Sequence, residues 1–523
     1  APAQAAKAPP AAPPANASTA FNTGRGSSSS SQPFERSPAG SAVGATTFRP
    51  RPATRPPAGA PTSGTGGGLA PQAPDGASWA VQDTQDRGKV LVSVRPIAAG
   101  EVVLSEEPTI AVSQESSVPT LADLQMWVVV FAAQEPESRS KILGLHCPET
   151  AAEGGSLASL LGVRGERTSE CLKCPAGVAE HDVWRFLRIM ECNCLESRAG
   201  GGVSVELSDQ LSRLNHSCSP NILRGPGKLP WTLEARALRP IAAGEELTVS
   251  YVDAESLWKP TSERRELLRK RWQFVCNCER CAAPDRTRAF ACPAGPACGS
   301  GGVVYAAPDG GFAPCGRCGR RLSAVAASAA LAAEERLRGA APEAVRDAEA
   351  VASSLGAALE TRNAADFQKA SSDAMKALGK CVAAATSSKE VAPAHHLVMG
   401  IAKAAATVRT VLGDSLQAGG REELAVDMWQ RAAGELAGVV DVEHAILPMP
   451  HEGRIMDLVG LGGIHQRMGQ NSDARRYLSE AVDGMRAVHW ASPPGSRASN
   501  EALRRGVEAA VAQLAGELED DAQ

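Results

Sequence analysis

Cys276-x-Cys278-x-x-Cys281 places three thiols within six residues of a chain that carries fourteen cysteines among its 523 residues. Steps this short in a large chain favour a metal over the disulfide framework of a small secreted domain. Tetrahedral zinc takes four ligands, so the cluster is one short. Cys292-x5-Cys298 and Cys315-x-x-Cys318 flank Gly-rich, strand-like residues, as in a zinc ribbon, and form a second candidate set. Cys171-x-x-Cys174 either joins Cys192 and Cys194, or Cys147, in a further site, or all five are scattered reduced thiols.

A chain of this length holds two or three folded units. Its net charge of −4 argues against a dedicated grip on nucleic-acid phosphates. The longest apolar run, Met126 to Ala133, is far too short to span a bilayer, and no secretory segment is apparent near the start. The chain is therefore expected to be soluble and to work in the cytoplasm, the nucleus or both. Residues 1–78 are Ala, Pro, Ser and Gly without apolar periodicity, and are expected to be disordered. Up to residue 74 six cations face only Glu35, so an organelle-targeting segment is the competing reading.

From Trp79 the texture changes. Lys89 to Ile97 reads as a strand, and Gly100 to Pro108 as a second strand after a Gly turn. The phrase Arg-Pro-Ile-Ala-Ala-Gly-Glu recurs within Leu238 to Tyr251, so a turn-plus-strand unit is expected twice. Between the copies, residues 120–190 look helical, with Leu121, Leu124, Met126, Trp127 and Val130 at helical spacing. Short strands around a helical insert imply a β-rich fold. Beyond Leu322 the chain is Ala- and Leu-rich and reads as helical almost to its end. There Leu412-Gly413, Gly420, Ala425, Trp429 and Ala432 match Leu461-Gly462, Gly469, Ala474, Leu478 and Ala481. Small residues at such places let paired helices pack closely, as in a tetratricopeptide-type hairpin, although the copies lie 49 residues apart. His395-His396, in the same region, is expected at the surface.

The string Leu214-Asn-His-Ser-Cys-Ser-Pro-Asn221 is followed in order by Gly-Glu-Glu-Leu-Thr-Val-Ser-Tyr251 and then by the Cys276–Cys281 cluster. In that order these residues resemble the SET domain of protein-lysine methyltransferases, and most of all the SET and MYND domain family. The MYND finger itself, a dense run of Cys and His, is absent from the insert. The resemblance implies transfer of a methyl group from S-adenosylmethionine to a lysine of a protein substrate, histone or non-histone. It also implies that Cys218 is the fourth ligand of a structural zinc held with Cys276, Cys278 and Cys281.

By the same resemblance, Arg87, Gly88 and Lys89 lie against the cofactor, although the family's Gly-x-Gly has become Gly88-Lys89-Val90. Asn193 matches the residue at the cofactor's methionine end, Asn215 and His216 the pair that holds its amino group and adenine, and Phe274 the aromatic cover. Tyr251 matches the residue whose hydroxyl sits beside the methyl and the amine. It binds the cofactor and is the catalytic candidate. Trp272, with Phe274, lines the substrate channel where the family often has Tyr, or else is ordinary core packing. The two departures motivate a second reading, a SET scaffold without turnover that binds peptides through its helical tail. The fold class expected is multidomain α+β. Residues 1–78 are low-complexity. A β-rich SET fold over 79–284 includes a helical insert at about 110–190 and a zinc-binding post-SET segment. A small zinc ribbon over 285–322 and a helical, tetratricopeptide-like domain over 323–523 follow, the last a candidate surface for a protein partner.

Overall fold

The computed structural model describes residues 76–84, 87–199, 202–229, 232–298, 302–361, 364–492 and 494–520. The expectation of disorder or targeting over residues 1–78 lies outside them as far as residue 75, but Ser78 is buried and its hydroxyl donates to the Val103 carbonyl at 3.3 Å, so the ordered chain starts before the expected boundary. The described chain opens with a hairpin, Trp79–Thr84 antiparallel to Gly88–Ser93. Successive side chains of a strand point to opposite faces, so Val90 and Val92 pack on Ala80 while Leu91 enters the neighbouring core. The strand stops at Ser93, short of the expected Ile97, ahead of Pro96, which has no N–H for a ladder.

Val102–Glu106, Leu233–Ala237 and Ile222–Pro226 form a three-stranded antiparallel sheet with the 233–237 strand in the middle. A second such sheet has Gly202–Leu207 between Ile110–Gln114 and Leu195–Ala199. The helical insert therefore begins later than 110. Ile110–Gln114 alternates buried and exposed residues, the signature of a half-buried strand, and joins this sheet. The helices Leu121–Ala132, Pro136–Leu143, Ser156–Leu161, Thr168–Cys171 and Glu180–Asn193 follow. Thr120 and Asp123 cap the first reciprocally, and its buried face (Leu124, Trp127, Val128, Phe131) packs on Phe186 and Ile110.

The two copies of Arg-Pro-Ile-Ala-Ala-Gly-Glu lie against each other. Ile97 and Ile241 exchange both backbone hydrogen bonds at 2.9 Å. In each copy the Glu carboxylate pairs with the Arg six residues earlier, Arg95–Glu101 and Arg239–Glu245, both at 2.5 Å. Gly100 and Gly244 hold the left-handed turns that a side chain would strain. The second copy yields only a two-residue strand, Thr248–Val249, which runs parallel to Asn215–His216.

Asp285–Ala291 and Val303–Ala306 form a small antiparallel ribbon. The helices Ala324–Thr361, Ala364–Thr386, His396–Ala418, Glu422–Ile446, Glu452–Arg467, Asn471–Val488 and Pro494–Asp520 complete the chain. The two matched stretches are equivalent hairpins. Gly420 and Gly469 form their left-handed turns, and Gly413 and Gly462 lie where an added Cβ would meet Trp429 or Leu478 at about 2.5 Å. His395 departs from its expected surface position. It is fully buried, with Nε2 3.3 Å from Glu334, whose carboxylate Arg288 also grips at 2.7 and 2.5 Å. Its other ring nitrogen caps the next helix at Leu397, so the imidazole is a structural joint. Among the described residues no helix is long and apolar enough to cross a membrane.

Candidate active site and thiol clusters

Parallel pairing of Asn215–His216 with Thr248–Val249 brings the Asn-His-Ser-Cys string and the strand ending at Tyr251 to one place. Asn221 ties them further, since its Oδ1 accepts the Thr248 N–H at 2.8 Å and its Nδ2 donates to Glu245 at 2.9 Å. The Tyr251 N–H donates to His216 Nδ1 at 3.0 Å, which leaves Nε2 as the protonated nitrogen facing Cys218 Sγ at 3.3 Å. Burial lowers the His216 pKa to about 4, so the ring stays neutral at physiological pH.

Around it stands an aromatic group. The rings of Tyr251 and Trp272 are 5.4 Å apart, those of His216 and Phe274 6.1 Å, and Phe274 meets Tyr251 edge-on at 6.4 Å. The Tyr251 hydroxyl donates to the Leu214 carbonyl at 2.8 Å, and burial raises its pKa to about 12. It is therefore a neutral hydrogen-bonding phenol and not a base. Trp272 is buried, with its indole N–H on the Cys192 carbonyl at 2.9 Å and its ring in the cluster that holds Cys218, Cys276 and Cys281. It serves as core and as aromatic wall at once. Gln273, between the two aromatic residues, takes a left-handed backbone at φ 59°, which turns the chain from helix Thr261–Trp272 toward the cysteines.

Asn193 ends the helix Glu180–Asn193, and its Nδ2 donates to the carbonyls of His146 and Ile189 at 2.9 Å each. Asn215 Nδ2 donates to Glu246 Oε1 at 3.2 Å, and Arg87 forms an ion pair with the same carboxylate. Glu246 thus links two expected site residues and was not singled out from sequence. The signal was available: the first copy of the repeated phrase continues Glu101-Val102, whereas the second continues Glu245-Glu246. Gly88 has a left-handed φ of 66°, Lys89 is exposed, and Val90 is only 2% exposed within the hairpin core. Val90 is thus packed against Ala80 and Val92.

The sulfurs of Cys218, Cys276, Cys278 and Cys281 all lie within 4.8 Å of one another, and Cys218 and Cys281 are 3.5 Å apart. Zinc–sulfur bonds of about 2.3 Å in a tetrahedron require such spacing, so this donor set fits a structural zinc. Hydrogen bonds among the four thiols pull the pKa of Cys278 and Cys281 down and push those of Cys218 and Cys276 up, so the group shares its protons. Arg264 donates to Cys281 Sγ at 3.4 Å, while Arg280 fastens the Cys218 and Leu257 carbonyls at 2.9 and 2.7 Å. Cys292, Cys298, Cys315 and Cys318 form a second group within the same limit, and backbone N–H groups of Cys318 and Arg317 lower the Cys315 pKa to about 6. Among the described residues Cys147, Cys171, Cys174, Cys192 and Cys194 form no such group and are free thiols.

Residues 88–252 match the SET domain family. Histone-lysine N-methyltransferase SMYD3 of Mus musculus is 42% identical over 87 residues, 16% of this chain and 18% of that protein. Histone-lysine N-methyltransferase SET5 of Yarrowia lipolytica is 42% identical over 76 residues, 14% of this chain and 16% of that protein. N-lysine methyltransferase SMYD2 of Homo sapiens is 39% identical over 77 residues, with the same two shares of 14% and 16%. The alignments thus span less than a fifth of each relative's own length. Residues 88–252 of this chain are a SET domain, similar in sequence to those of the SMYD and SET5 lysine methyltransferases.

Proposed function

We propose that the chain transfers a methyl group from S-adenosylmethionine to lysine side chains of protein substrates, histone or non-histone, in the cytoplasm or nucleus. The observation that carries this reading is the position of His216, held between the Tyr251 N–H and the Cys218 thiol. One imidazole couples the strand that bears the catalytic candidate to the cluster that anchors the C-terminal segment. The residues that would hold the cofactor are Arg87, Gly88, Lys89, Asn193, Asn215, His216, Tyr251 and Phe274; when bound, S-adenosylmethionine supplies an electrophilic methyl group.

Methyl transfer to an amine is an in-line displacement, so the protein must align the reactants and present the amine neutral. Lysine has an ordinary pKa near 10.4, and a dry aromatic surround favours its uncharged form. Trp272 and Phe274 supply that surround and exclude water. The neutral Tyr251 phenol, restrained through Leu214, orients the amine without taking its proton. We also infer units over 79–284, 285–322 and 323–523, with the ribbon as a structural zinc element and the helices as a protein-binding surface.

The test is incubation of the metal-replete chain with labelled S-adenosylmethionine and a protein extract, followed by hydrolysis. Labelled methyl-lysine, absent with Tyr251→Phe, is expected. A folded wild type that transfers no more label than this variant would refute the reading and leave a peptide-binding scaffold.

A further inference from the structure

Glu246 is fixed through its backbone on two sides. It bridges Val92 of the first hairpin, and its carbonyl accepts from Asn221 Nδ2 at 2.8 Å. The side chain, 17% exposed, then reaches two expected cofactor residues at once. Oε1 accepts from Asn215 Nδ2 at 3.2 Å, and Oε2 pairs with Arg87. Among the described residues nothing donates to the other end of that amide, Asn215 Oδ1.

A carboxylate paired with arginine only accepts and the guanidinium only donates, whereas an amide does one at each end. Placed between Arg87 and Asn215, Glu246 therefore permits one orientation of the Asn215 amide. Nδ2 must face the carboxylate, so Oδ1 is presented on the opposite edge as a bare acceptor. Such an acceptor suits an ammonium group, whose hydrogen bond to it is charge-assisted, and opposes a carboxylate. Asparagine alone carries no such preference, because half a turn about its last torsion exchanges the two ends at little cost.

We propose that Glu246 is a positioning residue: it sets the Asn215 amide with Oδ1 toward the α-ammonium of S-adenosylmethionine, while Arg87 keeps the carboxylate aimed. This inference rests on the methyltransferase reading above. In Glu246→Gln, Arg87 takes the carbonyl end of the introduced amide, whose N–H end then faces Asn215. Asn215 must turn to accept from it, and so points its own N–H groups at the ammonium.

The experiment titrates S-adenosylhomocysteine, and its deaminated analogue that lacks only the amino group, into the full, metal-replete chain by calorimetry. The wild type should bind the parent compound about tenfold tighter than the analogue, or more, as for loss of a hydrogen bond to a charged group. E246Q should reduce that ratio to about twofold or less. E246A removes the charge but imposes no orientation, and should keep an intermediate ratio. The double variant E246Q/N215D restores both an acceptor facing the ammonium and the wild-type net charge, and should recover most of the ratio. The same ratio in wild type, E246A and E246Q, or an equal loss in E246A and E246Q, overturns the inference; should E246Q fail to fold, E246A against the double variant makes the same comparison. Binding of both compounds with equal affinity by the wild type overturns this inference alone, whereas a folded, zinc-loaded wild type that binds neither overturns the parent reading and this inference with it.

Discussion

The Trp258 indole N–H donates to His451 Nδ1 at 3.2 Å, joining the segment after Tyr251 to the helical region. The same nitrogen accepts the Gly453 N–H at 3.1 Å, and Nε2–H meets the Ala254 carbonyl at 2.9 Å. This imidazole is therefore built for its neutral form, and protonation of Nδ1 would break two bonds. Burial accordingly lowers its pKa to about 4.

The sign of the pH dependence follows. A folded pKa below the unfolded value of about 6.5 means stability that is complete above pH 6.5 and declines as pH falls toward 4. His451 should contribute up to about 3 kcal/mol of this loss. Urea unfolding of wild type and His451→Phe between pH 7.5 and 4 should show the wild-type advantage shrinking as pH falls; a constant gap would contradict a neutral joint.

Two thiol clusters imply two zinc ions per chain, measurable by elemental analysis of the metal-replete protein. Cys278→Ser and Cys318→Ser should each reduce the content to one. Loss of a structural zinc removes folding free energy of the order of 10 kcal/mol, so chelation should unfold the SET segment cooperatively. Two zinc ions retained in both variants would contradict the ligand sets.

Glycine at two equivalent sites carries the packing of the helical hairpins. Gly462→Ala drives a methyl into Leu478 and should cost about 1–3 kcal/mol. Gly434→Ala meets open space in helix Glu422–Ile446 and should stabilise by about 0.5–1 kcal/mol. Thermal melts of the pair check this, and equal effects would refute the close approach.

Tyr251→Phe removes one hydroxyl and its bond to Leu214, a stability loss of about 1 kcal/mol. Misalignment of the amine should reduce turnover by about a hundredfold or more. Single-turnover rates and cofactor affinity measured together distinguish this from collapse of the pocket, which would weaken both.

Much of this was legible in the sequence, for physical reasons. The thiol clusters were visible because ligand spacing is a local constraint, and the glycines of the helical hairpins because close approach demands small residues. The mutual pairing of Ile97 with Ile241 was not, although both phrases were conspicuous, since nothing local says that two similar turns will face each other. His395 was misplaced for a related reason. Its partners Glu334 and Arg288 are remote in the chain, and a histidine pair at a helix start carries no mark of what will cover it. Glu246 acts through Asn215 and Arg87 of other elements, so only the assembled fold shows its surroundings.

The most direct measurement is calorimetric titration of S-adenosylmethionine into the full, metal-replete chain. Dissociation constants in the micromolar range are expected, since Val90 is absorbed by the hairpin core, with binding lost in Asn215→Ala. A folded, zinc-loaded protein that evolves no heat of binding would contradict the assembled cofactor site.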